Sequence, residues 1–399
     1  MKATETARKQ ASIRNKNIRL ILSLLRKQPN STFGVGQTLR LSSGGAKKLV
    51  DDIAASGIIA PVPVTETEAK QGRPPVIYSV NPAYCKIVVV NYAANRVSLF
   101  DFAGTVIDSF SFVINGSVSD KDVCSLADRV EEMLNRHKGG GALAAIAIAY
   151  LGRVDPVTHG KILSGIFANC TINIYEYYKN RFKTEIILRN DLQFAILAER
   201  QIGTITGREM ACCFMQIGSG VACAMLINDK PYLGAQGIAG EIGQNSLIHT
   251  SSPLRVEDCL DCDGLIKVLK KDVEEGKRTL LPDGFTFADI VRAFKNGDEV
   301  VRKRVFDAAH CAGLLIKNAI EFMDFDLVIL SGAMLQFGME YANIITETVR
   351  KNKYNTRIVL SELDKNGTFI GAFEAARDLV VEKFASARVA CVNGGGVNF

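Results

Sequence analysis

Ala211-Cys212-Cys213-Phe214-Met215-Gln216-Ile217-Gly218-Ser219-Gly220-Val221-Ala222-Cys223-Ala224-Met225-Leu226-Ile227 reads as a strand, a tight turn and a second strand. Two short apolar runs bounded by turn glycines have the pattern of buried strands. Upstream, Glu185-Ile186-Ile187-Leu188 is another strand. It ends in Asn190-Asp191, and a helix is predicted over 192–202. Further upstream, Ala144–Ala149 forms a buried strand after a Gly139-Gly140-Gly141 break and a long helix over Lys121–Arg136. Ile87–Val90 and Arg96–Asp101 are strands, followed by Gly104-Thr105-Val106-Ile107. Downstream, helices fill most of 263–323, and Asp326–Leu330 is a late strand that stops at Ser331-Gly332-Ala333. Strands that end in glycine-rich turns and alternate with helices predict an α/β fold. In such folds ligands bind at the carboxyl ends of the strands.

The charge is unevenly placed. Residues 1–80 carry 13 Lys/Arg against 5 Asp/Glu, a net of +8, which leaves −2 for the rest of a chain whose total is +6. A basic head before a near-neutral body suggests a nucleic-acid-binding module on a separate globular domain. The 399 residues suffice for two or three domains. No run approaches the roughly 18 apolar residues of a membrane span. Met1–Gln10 lacks the apolar stretch of a secretory signal, so a cytoplasmic location and no membrane partner are expected. The ten cysteines sit mostly inside apolar runs, as reduced and buried thiols do.

Within the head, Ile18, Ile21, Leu22 and Leu25 share one face of a first helix over Asn17–Arg26. Thr32–Leu39 can form a short second helix. A third starts at Ser42 or Ser43 as N-cap, buries Ala46, Leu49, Val50 and Ile53, and closes at Gly57. Ile58–Val80 then reads as two strands around Gln71-Gly72-Arg73-Pro74-Pro75, an extended tip suited to a narrow minor groove. This is a winged helix-turn-helix pattern with the third helix as reader. The candidate DNA contacts are Ser42, Ser43, Gly44, Lys47, Lys48 and Arg73. Lys47 and Lys48 also suit a merely solvated face.

Across the chain, six motifs in order resemble the ROK family of repressors and sugar kinases. They are the tip Gly72-Arg73-Pro74-Pro75; Leu151-Gly152-Arg153-Val154-Asp155-Pro156, with Leu151 for the family's Pro; Asn190-Asp191; Gly218-Ser219-Gly220; Gly240-Glu241-Ile242-Gly243-Gln244, with Gln244 for the family's His; and Cys259-Leu260-Asp261. The resemblance covers essentially the whole chain. It implies a two-lobed actin/hexokinase-like (ribonuclease H-like) body over 84–399, following a winged helix-turn-helix domain over 1–80. It further implies a sugar or sugar phosphate held in a cleft between lobes by Asn190, Asp191, Glu241, Gln244 and Asp261. Asn and Asp at a strand end also serve as simple turn residues.

Two family features are altered. Kinases of the family carry Asp-x-Gly-Gly-Thr after the first strand. Here the matching stretch is Asn91-Tyr92-Ala93-Ala94-Asn95-Arg96, which lacks both glycines, the Thr and the carboxylate. No cofactor and no catalytic residue are therefore expected. The family's structural zinc uses the missing His and three cysteines, of which only Cys259 matches. Cys259 and Cys262, even with His249, fall short of four ligands, so no metal is expected and both thiols are read as buried at helix starts. The expectation is a repressor of carbohydrate-metabolism genes, bound to operator DNA as a homodimer or homotetramer. The alternatives are an active ATP-dependent sugar kinase with an added head, and a regulator whose body only dimerises.

Overall fold

The chain alternates strand and helix because its apolar residues change period. Cys85–Asn91 is buried at every position, as a central strand must be. Asp120–Arg136, by contrast, buries only the stripe Val123, Leu126, Ala127, Val130 and Met133 and starts with a Ser119/Asp122 capping box. The computed structural model describes residues 2–63, 75–153, 165–167, 169–244, 246–247, 254–351, 354–363 and 366–392.

In chain order the elements are α1 (Lys2–Lys27), β1 (Asn30–Ser31), α2 (Thr32–Thr38), α3 (Ser43–Ala54), β2 (Ile59–Pro61), β3 (Ile77–Val80), β4 (Cys85–Asn91), β5 (Arg96–Asp101), β6 (Val106–Ser111), α4 (Asp120–Arg136), β7 (Ala142–Tyr150), α5 (Ile174–Phe182), β8 (Glu185–Asn190) and α6 (Asp191–Ile202). There follow β9 (Ala211–Ile217), β10 (Val221–Ile227), β11 (Lys230–Pro231), β12 (Ser246–Leu247), β13 (Leu254–Arg255), α7 (Val256–Leu260), α8 (Cys262–Glu274), α9 (Phe287–Lys295), α10 (Glu299–Met323), β14 (Leu327–Ser331), α11 (Met339–Arg350), β15 (Arg357–Leu360) and α12 (Gly367–Val392).

The chain divides into two units. The first comprises 1–151, 164–189 and 372–399; the second comprises 152–163 and 190–371. Each is built on a five-stranded sheet, in the order β6-β5-β4-β7-β8 and β11-β10-β9-β14-β15 respectively. In each, the third strand in spatial order pairs antiparallel with one neighbour and parallel with the other: β4 with β5 and β7, β9 with β10 and β14. The two sheets thus repeat one topology, an antiparallel hairpin joined to a βαβ-type crossover. No described helix is long and apolar enough to cross a membrane.

In the first unit, β1, β3 and β2 form a small antiparallel sheet beside α1–α3. The first helix is longer than its apolar stripe suggests, reaching back from Asn17 to Lys2. Arg14, on that extension, donates to Asp52 of α3 at 2.8 Å. Among the described residues, the apolar side chains of the head share a core with later segments. Ile18, Ile21, Leu25, Val35, Ile53 and Ile58 pack in one cluster with Cys85, Phe102, Val381 and Ala385. In the second unit the core lies between β9, β10 and β14 and helices α7–α11.

Candidate functional site

The five predicted ligand residues all fall in the second unit. Asn190 ends β8 and caps α6. Its Oδ1 accepts from Leu192 N at 2.9 Å while its Nδ2 donates to the Gly152 carbonyl at 2.9 Å. Both ends of the amide are thereby engaged inside the protein, so Asn190 braces the helix start. Asp191 is the first residue of α6 and is half-buried. Burial pushes its carboxyl up to about 6, against the pull of the Leu192 and Asp191 amides, and the charge of Glu241 raises it further.

Glu241 follows a glycine that the packing requires. A Cβ on Gly240, at φ +96°, would stand 1.8 Å from the Cys223 carbonyl oxygen. Burial raises the Glu241 carboxyl, Arg153 opposes that rise and Glu257 adds to it. The next turn, Ile242–Gln244, lies so close to β10 that a Cβ on Gly243 would meet the Val221 carbonyl oxygen at 2.1 Å. Gln244 is exposed, and its Nε2 donates to Glu257 Oε1 at 2.9 Å. Arg255 pairs with the same carboxylate at 2.8 Å. Asp261 is the N-cap of α8, its Oδ1 accepting from Gly264 N at 2.6 Å. Burial raises its carboxyl, the Gly264 amide lowers it, and Asp263, Glu257 and Asp258 raise it again.

Gln244 is thus bonded to one further residue, Glu257, whose charge is near enough to raise Glu241 and Asp261, as that of Glu241 is to raise Asp191. Sequence reasoning missed Glu257, since a Glu in the first turn of a short helix looks like ordinary dipole compensation. The cluster sits toward the carboxyl end of the second sheet. Cys262 N donates there to the Gly218 carbonyl at 2.8 Å, and a Cβ on Gly332 would lie 2.3 Å from the Ile217 carbonyl oxygen. A cavity of about 570 Å³ lies at the other end of that sheet, lined by Ala211, Asp326 and Thr356 among others; none of the five residues borders it. Val154, Asp155 and Pro156 lie outside the described residues.

The zinc donor set does not fit. Gln244 stands where the family's His is expected and is turned to Glu257. Cys262 opens α8, but Cys259 lies inside α7 and not at a helix start, and both thiols are half-buried where the sequence suggested full burial. Burial raises both, Cys262 to about 11. His249 lies outside the described residues, among which no three His, Cys, Asp or Glu groups are arranged to hold a metal.

In the first unit, the stretch matching the family's first phosphate loop is a closed turn. Asn91 is 1% exposed, and its Oδ1 accepts from Ala94 N at 3.0 Å. Tyr92 is buried edge-on against Phe112 and Phe167. The Ala94 amide is taken up by the Asn91 side chain, and an aromatic ring packs into the turn.

The head presents the predicted reader. Ser42 caps α3, its Oγ accepting from Gly45 N at 3.2 Å. Ser43, Gly44, Lys47 and Lys48 are exposed on its first turns while Ala46, Val50 and Ile53 are buried. Open space surrounds the missing Cβ of Gly44, so packing does not demand a glycine there. Arg73 lies outside the described residues.

The profile of the ROK family matches residues 120–378. The xylose repressor of Caldicellulosiruptor bescii is 21% identical over 357 residues, spanning 84% of this chain and 89% of that protein. Among solved structures, a ROK family transcriptional regulator described as a homolog of the E. coli MLC protein aligns with a TM-score of 0.76 at 18% identity, over 94% of this chain and 99% of that one. A ROK hexokinase from Thermus thermophilus aligns with a TM-score of 0.61 at 18% identity, over 74% of this chain and 99% of that one. At these identities the structural matches speak for the actin-like two-lobed fold.

Proposed function

The chain belongs to the ROK family, and from that premise we propose that it is a DNA-binding transcriptional repressor of carbohydrate-metabolism genes that responds to a sugar. What supports this reading is the three-helix head with its small antiparallel sheet, whose α3 exposes Lys47 and Lys48 beside an open, Ser42-capped first turn. The alignment with the regulator runs over 94% of the chain and that with the hexokinase over 74%, which fits a kinase-like body with an added head. In this reading residues 1–80 bind operator DNA and 84–399 form the effector body. Because one head covers too little DNA for strong specificity, the working species is a homodimer or homotetramer on paired half-sites.

The effector contacts are Asn190, Asp191, Glu241, Gln244 and Asp261, with Glu257 holding Gln244 through its hydrogen bond. Carboxylates and an amide in one half-buried cluster suit the paired hydroxyls of a sugar. The name of the C. bescii relative makes D-xylose the first effector to test. In this reading the body does not transfer phosphate, which the buried Tyr92 and the bonded Asn91 at the stretch matching the first phosphate loop support. The protein works in the cytoplasm, where operator and sugar meet.

The test is fluorescence anisotropy of the full chain on duplex fragments from upstream of its own gene and of neighbouring sugar genes, titrated with D-xylose and other monosaccharides. The reading predicts sequence-selective binding that one sugar changes at least tenfold. Binding indifferent to every sugar, or no binding at all, would contradict it.

A further inference from the structure

At the amino-terminal ends of β9, β14 and β15 lies the cavity of about 570 Å³ that none of the predicted ligand residues borders. It belongs wholly to the second unit. Its volume is that of a small-molecule site. Ile320 and Phe325 are buried in its lining, whereas Met210 and Tyr232 are 67% and 47% exposed. Tyr354 adds a second ring, its hydroxyl donating to Glu321.

The charged side chains in that lining are both carboxylates, Asp324 and Asp326; no Lys, Arg or His borders the cavity among the described residues. The acidic groups of the neighbourhood are not equivalent. Glu209 pairs with Arg357 at 3.8 Å, Asp229 with Arg200 at 3.4 Å and Glu321 with Lys317 at 3.1 Å. Among the described residues, these pairings leave Asp324 and Asp326 without a cation.

Asp326 is also the most firmly placed group in the cavity. Its backbone N–H donates to the Ala211 carbonyl at 2.9 Å, and its carbonyl accepts from Arg357 N at 2.9 Å. Its Oδ2 accepts from the Met210 and Ala211 amides at 2.7 and 3.0 Å. The carboxylate is thus fixed to three strand starts through one oxygen, and the other oxygen keeps its acceptor capacity. Such a group needs no reordering to receive a donor.

We propose that this cavity binds an organic ammonium ion, a primary amine on a short apolar or aromatic body, with Asp324 and Asp326 taking the ammonium group and Tyr232, Tyr354 and Met210 covering the body. Charge complementarity selects this occupant. An anion would meet two like charges with no cation to offset them, and a neutral polyol would leave the apolar wall uncovered. An ammonium ion gains charge-assisted hydrogen bonds from the carboxylates and attraction to the faces of the two tyrosine rings. The site is separate from the effector cluster and requires neither DNA nor sugar.

Two substitutions remove the charge and spare the fold. Asp324 stands at φ +51°, a conformation that Asn tolerates well, so Asp324→Asn fits the backbone. Asp326→Asn keeps an amide oxygen to accept from the Met210 and Ala211 amides.

The experiment is a ligand-observed NMR titration of the full chain at low salt with phenethylammonium, its neutral counterpart phenethyl alcohol and the anion hydrocinnamate, with sedimentation velocity on the same samples. Phenethylammonium should bind saturably, phenethyl alcohol about fivefold or more weakly, and hydrocinnamate not at all. Asp324→Asn and Asp326→Asn should each weaken the ammonium about fivefold while leaving phenethyl alcohol unchanged; a merely structural loss would weaken both probes alike. Equal affinity for the alcohol and the ammonium in the wild type, or no saturable binding of the ammonium, would overturn the proposal without recourse to any variant. Unchanged ammonium affinity in both variants would overturn it as well. Phenethylammonium that binds only by dissociating a dimer would assign the cavity to a second copy of the chain and overturn it too.

Discussion

Gln244 Nε2 donates to Glu257 Oε1 across 2.9 Å, and the same carboxylate pairs with Arg255. The loop between β10 and α7 is therefore tied by an amide and an ion pair, with Arg255 on the other side of the same carboxylate at 2.8 Å. A hydrogen bond to a charged acceptor is worth about 1.5–3 kcal/mol at best, and less where it is exposed as here.

Gln244→Ala should consequently weaken effector binding about three- to tenfold by loosening Glu257, with a small loss of thermal stability. Isothermal titration with the stabilising sugar checks this. Gln244→His should not create a zinc site, because Cys259 and Cys262 sit in different helices without a fourth ligand among the described residues. A zinc-to-protein ratio well below one after dialysis is the expected outcome.

Asn190 joins two elements through one amide. Asn190→Ala removes both the α6 cap and the bond to Gly152 and should cost about 1–3 kcal/mol of stability. Asn190→Asp keeps the cap acceptor, loses the donor to Gly152 and brings a second carboxylate beside Asp191. Urea unfolding should rank wild type above both variants.

Asp191 sets a pH dependence. Its carboxyl is raised from 3.8 to about 6 in the folded chain, chiefly by burial. A raised folded value means that stability is fully present below the unfolded value and is lost as pH rises from about 4 through about 6. The loss is on the order of 3 kcal/mol. Asp191→Asn cannot ionise, so urea midpoints at pH 4.5 and 8 should differ less in the variant than in the wild type. Glu241 and Asp261, which burial raises in the same direction, contribute to the residual slope.

The strands and the order of motifs were legible because buried strands and their terminal glycines are local signals. The central hairpin of the second sheet was readable from Ala211–Ile227 alone, and the α3 cap at Ser42 stands where its residue type suggests. What escaped was long-range or ambiguous in residue type. The helix before Asn17 has almost no apolar stripe, and its ion pair with Asp52 spans 38 positions. Glu257 works through partners on other elements. Asn190 and Asp261 illustrate a third limit. Residues that cap helices and residues that grip sugars are the same types, and only the hydrogen bonds tell how much of each side chain is already committed.

On the head, Lys47→Ala and Lys48→Ala should each weaken DNA binding across sequences and lower the salt slope by about one. Their exposure on a helix whose opposite face is buried means that the fold should tolerate both changes. Anisotropy at two salt concentrations separates a lost phosphate contact, which lowers the slope, from a lost base contact, which does not.

The most direct test of a sugar-sensing, non-catalytic body is a thermal-shift series on the purified chain with D-xylose and a panel of monosaccharides, amino sugars and their 6-phosphates, each with and without Mg-ATP. The account predicts that at least one sugar raises the melting temperature, that Mg-ATP adds nothing to that shift, and that Asp191→Asn diminishes it. Stabilisation that requires Mg-ATP, or no response to any sugar, would contradict it.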